Sequence, residues 1–318
     1  MKTLITGSTG LLGGRIAYDL AQNGHDVILG SRHWINPKKW TKDFKLVEMD
    51  FTRESSLLDA TKSVEAVIHL AGMNAGECGK NPDEALRVNG EFTKNILEAS
   101  IKNNLTHFVY FSTAHVYRSP LEGQIKESDP VLNMHPYATS HLRGEEHVLQ
   151  AQRDKKINGI VLRLSNSFGS PIHPEANCWM LLVNDLCKQA ATKQSLKLNS
   201  NGLQRRDFIP ISDVAKSVQH LLSLPREILG NGLFNVGGNW SPRVIEVASL
   251  IAQRYEFITK TKIEISCAQS TVSEKESVLS YDISKLEMTN YRTSGMDSVI
   301  VEIDNLIKFC LENFKVDL

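Results

Sequence analysis

The sequence predicts an α/β protein built on a doubly wound parallel sheet, with helices covering both faces. Three observations predict it. A glycine-rich turn joins a strand to a helix inside the first two dozen residues. Apolar, β-branched runs then alternate with segments of helical period as far as about residue 166. The chain has 318 residues, enough for one large or two modest domains.

The first unit sets the frame. Lys2 to Thr6 is a short strand-like run, and Gly7, Gly10 and Gly13 follow at three-residue spacing. Leu11, Leu12, Ile16, Ala17 and Leu20 recur with helical period, and Asn23-Gly24 is a stop. Glycines let the backbone turn tightly and approach a pyrophosphate, which sits at the positive end of a helix. Three glycines also occur in ordinary βα turns. The strand before and the helix after make the stretch Gly7-Ser8-Thr9-Gly10-Leu11-Leu12-Gly13 a dinucleotide cradle of Rossmann type.

His25 to Gly30 reads as strand two. An NAD site usually puts an acid at the end of this strand, on the ribose 2′-hydroxyl. This chain has Ser31-Arg32, followed by His33, Lys38 and Lys39. A small residue with an Arg leaves room for a 2′-phosphate and matches its charge. NADP(H) is therefore the preferred expectation and NAD(H) the second, against the plain alternative that Arg32 is a solvated loop charge. Phe44 to Met49 is strand three, ending at Asp50-Phe51, with Asp50 placed to meet an adenine amine. Val64 to Leu70 is strand four, running into the small-residue turn Leu70-Ala71-Gly72. Met73 to Lys80 reads as a loop at the mouth of the site. Asn81-Pro82-Asp83-Glu84 starts a helix with a cap, a first-turn proline and acids at its positive end. Thr106 to Ser112 is strand five. Ligands of such sheets bind beyond the carboxyl ends of the strands.

Two stretches carry possible chemistry. Phe111 to Tyr117 ends strand five and contains Ser112, Thr113 and Ala114. His135 to His141 opens a helix to about Gln152, on which Tyr137 and His141 share a face at i, i+4. A hydroxyl from Thr113 and a phenol from Tyr137 can meet over a carbonyl or alcohol and pass a proton. The plain alternative is that Tyr137 and His141 are packing residues.

Composition excludes other classes. Formal charge is zero, so a nucleic-acid footprint is not expected. No apolar run approaches the ~20 residues that span a bilayer, and the N-terminus enters a strand without a signal-peptide pattern, so no membrane partner is expected. The five cysteines, Cys78, Cys178, Cys187, Cys267 and Cys310, are odd in number and scattered, which suggests reduced thiols and a cytoplasmic setting. No metal site is expected.

Taken together, the motifs resemble the extended short-chain dehydrogenase/reductase family, in its NAD(P)-dependent sugar-nucleotide epimerase, dehydratase and reductase branch. The resemblance covers nearly the whole chain. Thr6 to Gly13 matches T-G-x-x-G-x-x-G, His69-Leu70-Ala71-Gly72 matches H-x-A-G, and Asn89 matches the asparagine of the central helix. Thr113 to Tyr117 matches S/T-x-x-V-Y, and Tyr137 matches the tyrosine of Y-x-x-x-K. Leu162 to Gly169 is similar to L-R-x-x-N-x-Y-G, Arg206 to Ala215 to R-D-F-I-x-V-x-D-V-A, and Phe234 to Gly238 to a further signature. The resemblance implies cofactor contacts from Gly7 to Gly13, Ser31, Arg32, Asp50, Phe51, Leu70, Ala71, Gly72, Asn89, Ser112, Tyr137 and His141. It implies substrate contacts from Met73, Thr113, Ala114, Asn166 and Arg206, with Tyr137 as acid/base and Thr113 holding the reacting oxygen. A homodimer is implied as well.

The departures matter as much. The family lysine that binds the nicotinamide ribose and lowers the tyrosine pKa is His141 here. Imidazole is mostly neutral at pH 7, with an ordinary pKa of about 6.5. His141 has either taken over the lysine's role or marks weakened catalysis. Ala114-His115 stands where dehydratases of this branch carry Asp-Glu, which argues against a 4,6-dehydratase. By the resemblance, residues 1–166 form the cofactor domain and 167–318 mainly a smaller mixed α/β substrate lobe, with about 205–240 returning to the first. The expected function is oxidation, reduction or epimerisation of a nucleotide-diphosphate sugar. The alternatives are an NADP(H)-binding sensor or scaffold, and a reductase of a non-nucleotide carbonyl compound.

Overall fold

The computed structural model describes residues 1–32, 39–268 and 278–314. The chain begins β1 (Lys2–Thr6), α1 (Leu11–Gln22), β2 (Asp26–Ser31), β3 (Lys45–Glu48), α2 (Glu54–Thr61) and β4 (Ala66–His69). Next come α3 (Ala75–Lys80), α4 (Pro82–Ala85), a π-helical turn at Leu86–Glu91, α5 (Phe92–Lys102) and β5 (His107–Thr113). After β6 (Gly123–Ile125) the chain forms α6 (Pro136–Arg153), β7 (Asn158–Leu164) and β8 (Asn166–Phe168). The rest is α7 (Leu182–Lys193), β9 (Ser195–Leu198), β10 (Phe208–Pro210), α8 (Ile211–Leu222), α9 (Arg226–Leu229), β11 (Leu233–Val236), α10 (Val244–Thr259), β12 (Glu264–Cys267), β13 (Leu279–Tyr281), α11 (Ser284–Glu287) and α12 (Gly295–Phe314).

Seven strands pair in the order β11-β7-β5-β4-β1-β2-β3, and every pairing is parallel. The order reverses between β1 and β4, where such sheets bind ligands beyond the strand ends. Period-two alternation divides the core. Ile5, Leu29, Ile68 and Val109 face Ile16, Leu20 and Val218 on one side. Leu4, Ile28, Val67 and Phe108 face Leu57, Ile96 and Leu97 on the other. With both faces covered, the strands are nearly continuous apolar runs, as parallel sheets require. Each such side chain contributes roughly 1.5–3 kcal/mol by leaving water. A third core lies among α7, α10 and α12, around Val183, Leu186, Val247, Ile251, Ile303 and Leu306. Arg15 on α1 is tied to Glu302 on α12 at 2.7 Å, which joins that core to the sheet.

One segment differs from the sequence expectation. Met73 to Lys80 is not a loop throughout. Asn74 Oδ1 accepts the Glu77 amide and Glu77 accepts the Asn74 amide, a reciprocal capping box that starts α3. α7 begins only at Leu182; before it, Ala176 and Cys178 are buried with Leu11 and Ile211 on a non-helical path. His33 and Lys38 lie outside the described residues. The five cysteines are unpaired. Among the described residues no helix is long and apolar enough to cross a membrane.

Candidate active site

The glycine turn shows why glycine is needed. Gly7 has φ +67°, and a Cβ there would stand 2.8 Å from the Ala71 amide nitrogen. A Cβ on Gly13 would meet the Gly7 carbonyl oxygen at 2.3 Å. The end of β1, the start of α1 and the end of β4 therefore touch backbone to backbone. α1 opens at Gly10 with no side-chain cap and no acid in its first turn. Its positive end is left for an anion. These features fit the diphosphate of a dinucleotide. The Ser8 hydroxyl donates to the Gly30 carbonyl at 3.2 Å, which ties the turn to β2. The Thr9 carbonyl accepts from His173 Nε2 at 3.0 Å.

Beyond the turn lies a cleft of about 480 Å³ at the carboxyl ends of the central strands. Gly7, Gly10, Leu11, Leu12, Gly13, Leu70, Gly72, Met73, Ser112, Thr113, Tyr137, His141 and Asn166 all line it. Ser31, Arg32, Asp50, Phe51, Ala71, Asn89, Ala114 and Arg206 are not in its walls. Arg32 is exposed at the end of β2. The exposed Asp50 uses Oδ1 to accept from the Thr52 amide at 2.9 Å. The Phe51 side chain belongs to the core, stacked on Phe92. The sequence reading missed His115, Ser165, Asn177 and Met180, which also line the cleft. His115 had a signal, two residues past Thr113. Asn177 and Met180 had none, because they come in through the non-helical path after β8.

Thr113 and Tyr137 meet at this cleft from different elements. Thr113 ends β5, and its Oγ1 accepts the His115 amide at 3.2 Å, which leaves its O–H proton to donate. Burial pushes the Tyr137 phenol up, and a hydrogen bond with the Thr113 hydroxyl pulls it part of the way back. One turn along α6, the His141 ring packs edge to face on Tyr137, with centroids 4.6 Å apart. Burial drives His141 down to about 4, so it is neutral at pH 7. Asn89 sits inside the π-helical turn, where Oδ1 accepts the Met73 amide at 2.8 Å and Nδ2 donates to Ser140 Oγ at 3.1 Å.

Beneath the cleft lies a buried ion pair. Arg163 donates to Glu145 at 2.7 Å, and the Ser112 hydroxyl donates to the same carboxylate. Burial works against the Arg163 charge, but the Glu145 hydrogen bond and charge outweigh it and hold its pKa above the ordinary value. On the far side, Asn166 Nδ2 donates to the Asp207 carbonyl at 2.9 Å. Burial raises the Asp207 carboxyl to about 6, against hydrogen bonds from the Gly238 and Trp240 amides and the Ser241 hydroxyl. The Arg206 charge reaches His115, whose pKa falls first through burial and then through that charge.

A family model described as the NAD dependent epimerase/dehydratase family matches residues 3–237. The chain belongs to that family. Within the NAD dependent epimerase/dehydratase family, it is 30% identical over 264 residues to a putative UDP-glucose 4-epimerase of Methanocaldococcus jannaschii, covering 80% of this chain and 82% of that protein. It is 25% identical over 305 residues to a UDP-glucuronate 4-epimerase of Thermodesulfobacterium geofontis, covering 88% and 90%. A solved UDP-glucuronic acid 4-epimerase from Bacillus cereus, in complex with UDP-glucuronic acid and NAD, shares the fold at a TM-score of 0.79. That match covers 99% of this chain and 100% of the other at 22% identity. This likeness agrees with the Rossmann-type sheet read from the sequence, and the family match agrees with an enzyme of the epimerase/dehydratase kind.

Proposed function

We propose that this enzyme interconverts the alcohol and keto states of a sugar carbon on a nucleotide diphosphate, in an epimerase or reductase cycle. The observation that carries the reading is the meeting of the Thr113 hydroxyl and the Tyr137 phenol on a cleft walled by the glycine turn. When bound, a nicotinamide dinucleotide supplies hydride transfer. Gly7, Gly10 and Gly13 with the first turn of α1 would hold its diphosphate. With substrate bound, Thr113 would turn its one hydroxyl proton from Tyr137 to the reacting sugar oxygen and orient it. Tyr137, protonated at neutral pH, gives a proton to that oxygen in the reducing direction and takes it back in the oxidising one. Arg206, whose charge is felt at His115, faces the diphosphate of the substrate. Ala114-His115 supplies no acid pair for eliminating water, which favours epimerisation or net redox chemistry over dehydration. The UDP-sugar names of the relatives support a uridine nucleotide.

The finer cofactor reading is NADP(H). Ser31-Arg32 closes β2 without an acid, and Arg32 is exposed there. Titration of the purified chain with both cofactors tests this, with Arg32→Glu expected to shift the preference toward NAD(H) by about ten-fold or more. Equal affinities that Arg32→Glu leaves unchanged would overturn it. The substrate is proposed to lie between the sheet's carboxyl edge, built mainly from 1–166, and the elements of 167–318. A homodimer is proposed from the family resemblance, and sedimentation equilibrium tests it. Function is tested by turnover on a panel of UDP-sugars with the Tyr137→Phe variant alongside. A chain that binds cofactor tightly and converts none of them would favour the sensor reading, which the neutral His141 supports.

A further inference from the structure

A buried chain of hydrogen bonds runs from the cofactor turn to His141, and its proton directions can be worked out. Thr6 Oγ1 accepts the Leu70 and Ala71 amides, each at 3.2 Å, so its own proton goes to His69 Nδ1 at 2.7 Å. Thr93 Oγ1 donates to the Asn89 carbonyl at 2.8 Å, so His69 Nε2 must donate to Thr93 at 3.1 Å. The same Asn89 carbonyl lies 3.2 Å from the Tyr110 hydroxyl, which stands 2.9 Å from His141 Nδ1. A carbonyl only accepts and a phenol has one proton. Tyr110 therefore donates to Asn89, and His141 donates from Nδ1 to Tyr110. Asn89 is the sink at which both branches end.

We infer that Tyr110 is a positioning residue: it holds His141 in the Nδ1–H tautomer and leaves the Nε2 lone pair as a hydrogen-bond acceptor for a hydroxyl in the cleft. Rebuilt this way, the position does by accepting what an ammonium group does by donating. This rests on the proposed function for its catalytic consequence, but not for the tautomer itself. The groups facing His141 are Tyr110 on β5, Tyr137 on its own helix and His69 on β4, while the charges of Glu145 and Cys78 act on Tyr110. Burial, with a smaller contribution from the His141 charge, lowers His69 to about 3, so both rings are neutral at pH 7. Tyr110 is buried and does not line the cleft, so its effect must pass through His141.

The test is a long-range ¹H–¹⁵N correlation spectrum of the full chain with ¹⁵N-labelled histidine at pH 7. His141 is identified by the signal lost in His141→Gln. The wild type is expected to carry the proton on Nδ1, and Tyr110→Phe to move it to Nε2 or average the two. A wild-type proton on Nε2 overturns the inference without any variant, and so does a tautomer that Tyr110→Phe leaves unchanged. A second arm reads coupling. Tyr110→Phe is expected to lower turnover about ten-fold in the His141 background and less than about two-fold in His141→Lys, where there is no tautomer to hold. Equal losses in both backgrounds would mark Tyr110 as merely structural and overturn the positioning role. If the wild type turns over no UDP-sugar, the proposed function fails, while the spectrum still decides the tautomer.

Discussion

The Tyr137 and His141 rings pack edge to face, one helical turn apart on α6, with centroids 4.6 Å apart. This contact places a neutral imidazole where a permanent cation would otherwise stabilise the Tyr137 phenolate. Burial raises the Tyr137 pKa, and only the Thr113 hydrogen bond opposes it. The proposed oxidation step needs the phenolate, so its rate should still be rising above neutral pH. His141→Lys brings a cation beside the phenol and should move the rising limb of the pH–rate profile down by about one to two units. Steady-state rates from pH 6 to 10 for both proteins check this. Coincident profiles would contradict it.

His141 also ties stability to pH. Its folded pKa of about 4 lies below the unfolded value of about 6.5, so the unfolded chain binds the proton first as pH falls. The contribution of its neutral form is complete above pH 6.5 and is lost as pH drops through 4. It amounts to roughly 3 kcal/mol over that window. His69 adds to the slope in the same direction. Urea unfolding at pH 7 and pH 5 should show a smaller loss in His141→Gln than in the wild type.

The Arg163–Glu145 pair is a stability element beneath the site. Both side chains are buried, and Ser112 completes the carboxylate's hydrogen bonding. Arg163 also lies 4.7 Å from the centre of the Tyr117 ring. Glu145→Gln would leave the Arg163 charge uncompensated and should cost about 3–5 kcal/mol. Chemical denaturation at pH 7 checks this, and a change below about 1 kcal/mol would contradict it.

Much of the fold was legible because apolar periodicity and glycine spacing are local. The glycine turn, the first five strands of the sheet and the i, i+4 relation of Tyr137 and His141 all follow from a few residues each. What was not legible depends on distant contacts. The capping box at Asn74 and Glu77 overrides the loop-like composition of Met73 to Lys80. Cys178 is drawn against Leu11 and Ile211, so Asn177 and Met180 enter the cleft on a non-helical segment. Tyr110 reads as one more apolar strand residue until the π-helical turn brings the Asn89 carbonyl to its hydroxyl. The departure at His141 was visible, but its partner was not.

Tyr137 is proposed to move a proton on a nucleotide-sugar oxygen in this cleft. The most direct measurement is conversion of UDP-sugars by the purified chain with added NADP(H) or NAD(H), followed by NMR of the sugar carbons, for the wild type and Tyr137→Phe. The wild type should turn over, and Tyr137→Phe should lose about 10² to 10⁴-fold with cofactor affinity retained. Equal turnover by the two proteins, or tight cofactor binding with no conversion by the wild type, would contradict it.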